Sequence, residues 1–223
     1  MAGKRSYDDG CLVAQALERV GERWALLVAR ELLFGPRRFG ELQADLRGVS
    51  PNVLSQRLAD LTTAGVLAHR QLPGAPNLWT YELTPWGREL EPALAALGAW
   101  AALAPSTDDK VSAAAAIFAL RAASHPVEGS RFDLKVDLSG RVFHVRLGRQ
   151  RLKVEAWGDG GADATVVATP EVFHRLVFQD RDLDAAIKAG AVTWKGDRKA
   201  FQRLLAFVPA AAKAPPAWMA DAD

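Results

Sequence analysis

Ser50-Pro51-Asn52-Val53-Leu54-Ser55-Gln56-Arg57-Leu58-Ala59-Asp60-Leu61-Thr62-Thr63-Ala64-Gly65 is the stretch on which the reading of the first fold turns. A serine followed by proline is a helix start, with the hydroxyl as N-cap and the proline at the first helical position. Gly65 closes the segment. At 100° per residue, Leu54, Leu58 and Leu61 form a narrow stripe that faces a core. Asn52, Gln56, Ala59 and Thr63 point the other way, with Ser55 on the flank. That outward face lacks the Glu/Lys pairs usual on a solvated helix. It suits reading base edges in a major groove, where Asn or Gln can pair bidentately with adenine. An ordinary polar surface helix fits the same pattern.

The flanking segments narrow the choice. Upstream, helical spacing predicts one helix over residues 11–20 and a second from Trp24 to Phe34, stopped by Gly35-Pro36. Phe39, Leu42 and Leu46 mark a short third helix. Downstream, Val66–Leu72 and Leu78–Thr84 read as strands around the turn-rich tip Pro73-Gly74-Ala75-Pro76-Asn77. Helices followed by a hairpin carrying His69, Arg70 and Asn77 describe a winged helix-turn-helix. Its recognition helix enters the major groove and its wing reaches phosphate or the minor groove.

Several ordered motifs carry a family resemblance. They are Cys11, Gly21-Glu22-Arg23-Trp24, Leu33-Phe34-Gly35-Pro36-Arg37-Arg38-Phe39-Gly40-Glu41-Leu42, Ser50 to Leu58, Gly65-Val66-Leu67 and Tyr81-Glu82-Leu83-Thr84-Pro85-Trp86-Gly87-Arg88-Glu89-Leu90. Together they resemble the HxlR family of bacterial transcription regulators. The resemblance implies a repressor that binds a pseudo-palindromic double-stranded DNA operator as a homodimer. It places Arg37 and Arg38 beside phosphate, and Ser50, Asn52, Ser55, Gln56 and Arg57 on the recognition helix. Arg57 sits at the edge of the buried stripe, where an intramolecular pair with Glu41 or Asp60 competes with a DNA contact. A helix over Pro85–Leu103 presents Trp86, Leu90, Leu94, Leu97 and Ala101 on one face, and Pro92 inside it predicts a bend. In the family that face, with Leu12 on the first helix, is the dimer contact. Cys11 matches a cysteine that some relatives use to sense oxidants. Such sensing requires a thiolate, and a helix N-terminus favours one; a small cysteine packed at a dimer seam is the other reading.

Ala104-Pro105-Ser106-Thr107-Asp108-Asp109 is a polar break, so residues 1–104 and 105–208 are read as two domains and 209–223 as a disordered tail. The second begins with a helix over Lys110–Ala123. Arg131–Leu138, Arg141–Leu147 and Arg151–Trp157 then alternate as a three-stranded meander. Ala164–Ala168 and Val192–Lys195 complete five strands, with helices from Thr169, Asp182 and Asp197. The order resembles a sterol carrier protein domain, on Asp163-Ala164-Thr165-Val166, Thr169-Pro170 and Ala189-Gly190-Ala191-Val192-Thr193-Trp194-Lys195-Gly196-Asp197. The fold class expected is therefore α+β, with a five-stranded sheet covered by helices in its second part. The resemblance implies a small hydrophobic effector in an apolar cavity, with Phe132, Leu134, Phe143, Val145, Phe173, Val177, Ile187 and Phe201 as candidate lining. Those residues simply filling a core is the competing reading.

Composition sets the outer limits. The 223 residues are 49% hydrophobic and 24% charged, with a net charge of +2. That balance speaks against a polyanion-binding tail. Locally, Arg47 to Ala59 holds two arginines and no acid, with Arg37-Arg38 just before it. A single cysteine excludes an intrachain disulfide framework. The start lacks the apolar core of a signal peptide, and Val111–Leu120 is about half the ~20 residues a bilayer requires. A cytoplasmic protein is expected, without membrane, metal or cofactor. The histidines (69, 125, 144 and 174) show no ligand-like spacing, and no triad or phosphate loop is present, so enzymatic activity is not expected.

Overall fold

Helix α1 (Leu12–Val20) begins at Cys11 and ends at Gly21. The chain then turns through Trp24, whose φ of 77° is a left-handed conformation rare for a bulky side chain. Trp24 is therefore the cap of α2 (Ala25–Leu32) and not, as periodicity suggested, its first apolar rung. Helix α3 spans Phe39–Asp45, closed at its start by Glu41, which accepts from the Arg38 backbone N–H at 2.7 Å. Helix α4 spans Pro51–Thr63, with Ser50 accepting from the Val53 N–H. Leu54, Leu58 and Leu61 are fully buried, as the wheel required. Strand β1 (Leu67–Leu72) pairs antiparallel with β2 (Ala75–Leu83). The wing tip is tighter than its turn-rich sequence suggests. A register irregularity at Gln71/Leu72 pairs Leu72 with Ala75, so Asn77 lies within β2. Arg37 adds a bridge to Tyr81 on the other side of β2, making the wing locally three-stranded.

This computed structural model describes residues 7–72, 74–102, 110–124, 131–147, 152–156, 158 and 160–208. The expected linker at 104–109, the turn at 125–129, the tail at 209–223 and the ends of several expected elements (Leu103, Arg151, Trp157) lie outside them.

The expected helix over Pro85–Leu103 is two helices, α5 (Pro85–Arg88) and α6 (Glu91–Ala101). Pro92 does not bend the interior. It lies in the first turn of α6, where its missing N–H costs nothing, so the break falls just before it. Thr84 caps α5 through the Gly87 N–H, and its hydroxyl donates to the Gly65 carbonyl at 2.8 Å. A Cβ on Gly87 would stand 2.1 Å from the Val66 carbonyl oxygen, so only glycine lets α5 lie this close to the wing's root.

The chain divides into two compact units, Met1–Leu94 and Ala95–Asp223, with the division inside α6. In the second, α7 (Ala113–Ala123) starts three residues later than predicted, where the Ser112 hydroxyl caps it. The sheet runs β5-β4-β3-β6-β7. Its strands are β3 (Phe132–Leu138), β4 (Arg141–Leu147), β5 (Leu152–Ala156), β6 (Ala164–Ala168) and β7 (Thr193–Gly196). The β3-β4-β5 meander is antiparallel, while β6 joins β3 in parallel. Phe132, Leu134, Val136 and Leu138 face the helices and are buried; α7 packs on β5 and α10 (Lys199–Phe207) on β3. Helix α8 (Pro170–Arg175) runs into a π-helical turn at Leu176–Asp180, and α9 spans Leu183–Lys188. Arg181, at φ 55°, ends the π turn and donates to the carbonyls of Leu205 (2.6 Å) and Val208 (2.8 Å), closing the last turn of α10. The five strands and the α+β class match the sequence expectation.

Candidate nucleic-acid interface

The exposed face of α4 is the face periodicity assigned: Asn52, Ser55, Gln56, Ala59 and Thr63 are all exposed. Sequence reasoning missed Val53, an apolar side chain 41% exposed on the same helix. It offers a methyl surface of the kind that contacts thymine C5-methyl groups. Ser50 is exposed but serves as the helix cap.

The cations are less available than their positions suggest. Arg37 donates to Asp45 at 2.8 Å and lies 3.4 Å from Glu41, with its side chain only 18% exposed. Its guanidinium ties the ends of α3 together and is poorly placed for phosphate. Arg57 lies 3.0 Å from Asp60 and 3.7 Å from Glu22. Of the two intramolecular partners weighed from sequence, Asp60 is the one observed, and Glu22 was not foreseen because it is far away in the chain. Asp60 also accepts from the Gln56 amide at 2.9 Å. Arg70 pairs with Glu82 across the wing at 3.2 Å. Arg38 is more accessible than Arg37 or Arg57, 54% exposed and 3.6 Å from Glu41. Burial pushes the Glu41 carboxyl up, but the Arg38 N–H and the Arg37 and Arg38 charges outweigh it and hold it below its usual value.

On the wing, His69 stacks on Tyr81 (centroids 4.3 Å apart, planes 11°) and meets Trp79 at 4.8 Å. His69 and Asn77 are both exposed. Burial raises the Tyr81 phenol above its usual value. The wing therefore presents an aromatic ladder whose upper end, Trp79, is open to solvent.

Several large apolar side chains are uncovered. In the first unit Leu12, Val13 and Leu17 on α1 and Trp86 on α5 are exposed, and in the part of α6 that belongs to the second unit so are Leu97 and Trp100. Ala101 is exposed as well and Leu90 is half-buried. Leu94 is a correction to the expected dimer face: at 8% exposure it is buried within the chain. The α5–α6 break changes the angular position of residues after Glu91, so a single wheel across residues 85–103 could not assign it.

Cys11 is exposed at the N-cap of α1. The backbone N–H groups of Ala14 and Val13 favour a thiolate and hold the thiol below its usual value.

Residues 19–108 match the family described as HxlR-like helix-turn-helix. YvaP of Bacillus subtilis, an uncharacterized HTH-type transcriptional regulator, is 37% identical over 87 residues, 39% of this chain and 81% of that protein. The chain belongs to the HxlR-like helix-turn-helix family. A Mycobacterium tuberculosis HTH-type transcriptional regulator is 42% identical over 92 residues, 41% of this HxlR-like chain. There the chain spans 58% of the relative's length. Among solved structures, the reduced form of the transcriptional regulator YodB from B. subtilis is 30% identical over 41% of this chain and 90% of that one, with a TM-score of 0.38. Beyond the HxlR-like part, residues 111–214 match the alkyl sulfatase C-terminal family, in keeping with the sterol-carrier-like layout read from the sequence.

In that second unit, Phe132, Leu134, Phe143, Val145, Phe173, Val177 and Phe201 are each 0–2% exposed. A side chain lining a void large enough for a ligand would show accessible surface to it. These seven instead fill the core, and Ile187 is half-buried. A cleft of about 220 Å³ lies elsewhere, between α8, its π turn and α9, bordered by Arg175, Leu176, Asp180 and Asp182 and floored by alanines. On the sheet's other face, Arg146 pairs with Glu155 at 2.5 Å and His144 with Asp133. Of the four histidines, His125 lies outside the described residues. Among the described residues, no group of three His, Cys, Asp or Glu side chains is placed to hold a metal, and no helix is long and apolar enough to cross a membrane.

Proposed function

We propose that this chain is a DNA-binding transcription regulator, acting as a repressor on a pseudo-palindromic operator and working as a homodimer. The observation that carries the reading is the exposed face of α4, where Asn52, Val53, Ser55 and Gln56 lie together without an acidic side chain among them. Two copies joined through α1, α5 and α6 would present two such helices to successive major grooves. The uncovered apolar residues of those helices support the pairing, since a monomer leaves them in water.

The committed arginines lower the expected weight of phosphate contacts. Affinity should vary modestly with salt, and specificity should come from the α4 face. The test is a mobility shift with DNA from upstream of the protein's own coding region, against random DNA of equal length. Asn52→Ala should reduce discrimination between the two, whereas Arg38→Ala should weaken both alike and lower the salt slope by about one unit. Equal loss on both DNAs for both variants would overturn these roles.

For the C-terminal unit the reading is effector control by a small hydrophobic molecule. Its support is the sheet-and-helix layout together with the alkyl sulfatase C-terminal match. Because those seven side chains are buried together, the α8–α9 cleft is the open space among the described residues that this reading assigns to a ligand. Native mass spectrometry of the purified protein reads dimer mass and any co-purified apolar ligand together.

Cys11 supports a second reading, a thiol-based sensor. Its exposure at a helix N-cap and its depressed thiol value both favour reaction with oxidants or electrophiles. Alkylation of Cys11 should reach half its maximal rate at lower pH than for a free cysteine. Oxidant-induced DNA release that survives Cys11→Ser would rule the sensor out.

A further inference from the structure

Leu54, Leu58 and Leu61 of α4 are each 0% exposed, whereas Val53 on the same helix is 41% exposed. The core around those leucines closes without it. Valine is also a poorer helix former than the alanine, lysine or glutamate usual at a solvated position. Neither packing nor helix propensity accounts for this side chain, and it stands apart from the apolar residues of α1, α5 and α6 assigned to the dimer.

Its place on the helix is fixed. Val53 is the third residue of α4, and its backbone N–H donates to the Ser50 hydroxyl at 3.4 Å, so it belongs to the capped first turn. A β-branched side chain in a helix keeps essentially one χ1 rotamer, which holds both methyls in place before any partner arrives. The first turn of a recognition helix is the part that meets base edges. In the major groove those edges present hydrogen-bond donors and acceptors, and the thymine C5-methyl is the apolar group among them. An apolar side chain pressed against an amino or carbonyl group strips it of water without replacing the hydrogen bond, which costs affinity. Against a methyl, both surfaces leave water together. We infer that Val53 is a specificity-determining residue, selecting a thymine in each operator half-site through its C5-methyl group. The inference rests on the DNA-binding reading above and names a chemical group of the partner. 5-Methylcytosine carries the same methyl at the same ring position, so it recovers the contact that cytosine lacks.

The test uses the full chain and an operator selected from random DNA. Deoxyuridine, which pairs as thymidine does and lacks only the methyl, replaces each thymidine in turn, and affinity is read by fluorescence anisotropy. At one thymine per half-site the replacement should weaken binding about fourfold, the worth of one buried methyl. Replacement in both half-sites should weaken it about 15-fold, since distant sites act independently. At that position 5-methylcytosine should bind about fourfold tighter than cytosine. Val53→Ala keeps the helix and should shrink each single-site methyl effect below about twofold, while other positions keep their preferences. Equal loss on methylated and unmethylated DNA would assign Val53 a structural role and overturn the inference. So would the lack of any thymine with a methyl effect, or a methyl effect that survives Val53→Ala, with DNA binding left intact. Failure to select any DNA sequence overturns the DNA-binding reading, and this inference with it.

Discussion

Residues 7–100 and residues 110–208 differ in how they treat large apolar side chains. In the first stretch, Leu12, Val13, Leu17, Trp86, Leu97 and Trp100 remain exposed on three helices. In the second, Val167 is the one large apolar side chain counted as exposed among the described residues. Both use amphipathic elements, so composition does not explain the contrast. The C-terminal sheet has helices enough to cover its apolar face, with α7, α8 and α10 supplying Ile117, Phe173 and Phe201. Residues 7–100 bury Leu54, Leu58 and Leu61 in a small core and leave apolar side chains of α1, α5 and α6 in water. Side chains left in water in this way are those that the proposed dimer would cover.

The largest expected effect tests that contrast directly. Trp86→Glu combined with Leu97→Glu should convert a dimer to a monomer in light scattering. It should also lower operator affinity on the order of 100-fold, since interface anchors contribute about 2 kcal/mol or more each. A monomeric unaltered protein would break the comparison. Next in size, Phe173→Ala in the C-terminal core should cost about 3–5 kcal/mol in urea unfolding while leaving affinity for operator DNA largely unchanged. A loss below ~1 kcal/mol would mean that this core is not tightly packed.

The smallest effect sharpens the electrostatic side. Glu41 has its folded-state value depressed, so its contribution to stability is fully present above the ordinary carboxylate value of 4.5. It is lost as pH falls through the lower folded value. Glu41→Gln should lower the stability of the winged unit slightly at neutral pH and flatten its acid limb, so that the two proteins converge as pH falls. An unaltered acid limb would show that the α3 carboxylates act chiefly by geometry.

Much of the candidate interface was legible because it depends on spacing within one helix. Ser50-Pro51 announced the start of α4, and the leucine stripe separated buried from exposed residues correctly along its length. The wing was legible from alternation around a glycine-containing turn, although its tip was placed too wide. Asp60 was legible as a partner of Arg57, three residues away, whereas its bond to Gln56, four residues away, was missed because the wheel was read for apolar stripes. Glu22 and Asp45 were not within reach, since they join the arginines from other segments. The filled C-terminal core was illegible for a related reason: alternation shows which side chains point inward, not whether they meet or leave a gap.

What the sequence by itself determined is therefore local: helix starts at Ser50, Pro85, Thr169 and Asp182, strand faces through alternation, and the α+β class that follows from their order. What only the tertiary structure decided is relational. It includes the parallel insertion of β6 beside β3, the burial of Leu94, and the commitment of Arg37 and Arg57 to carboxylates. The physical reason is range. Backbone propensity, capping and periodicity act within about one or two turns of chain. Packing and ion pairing depend on where distant segments come to rest, and a linear pattern does not carry that information.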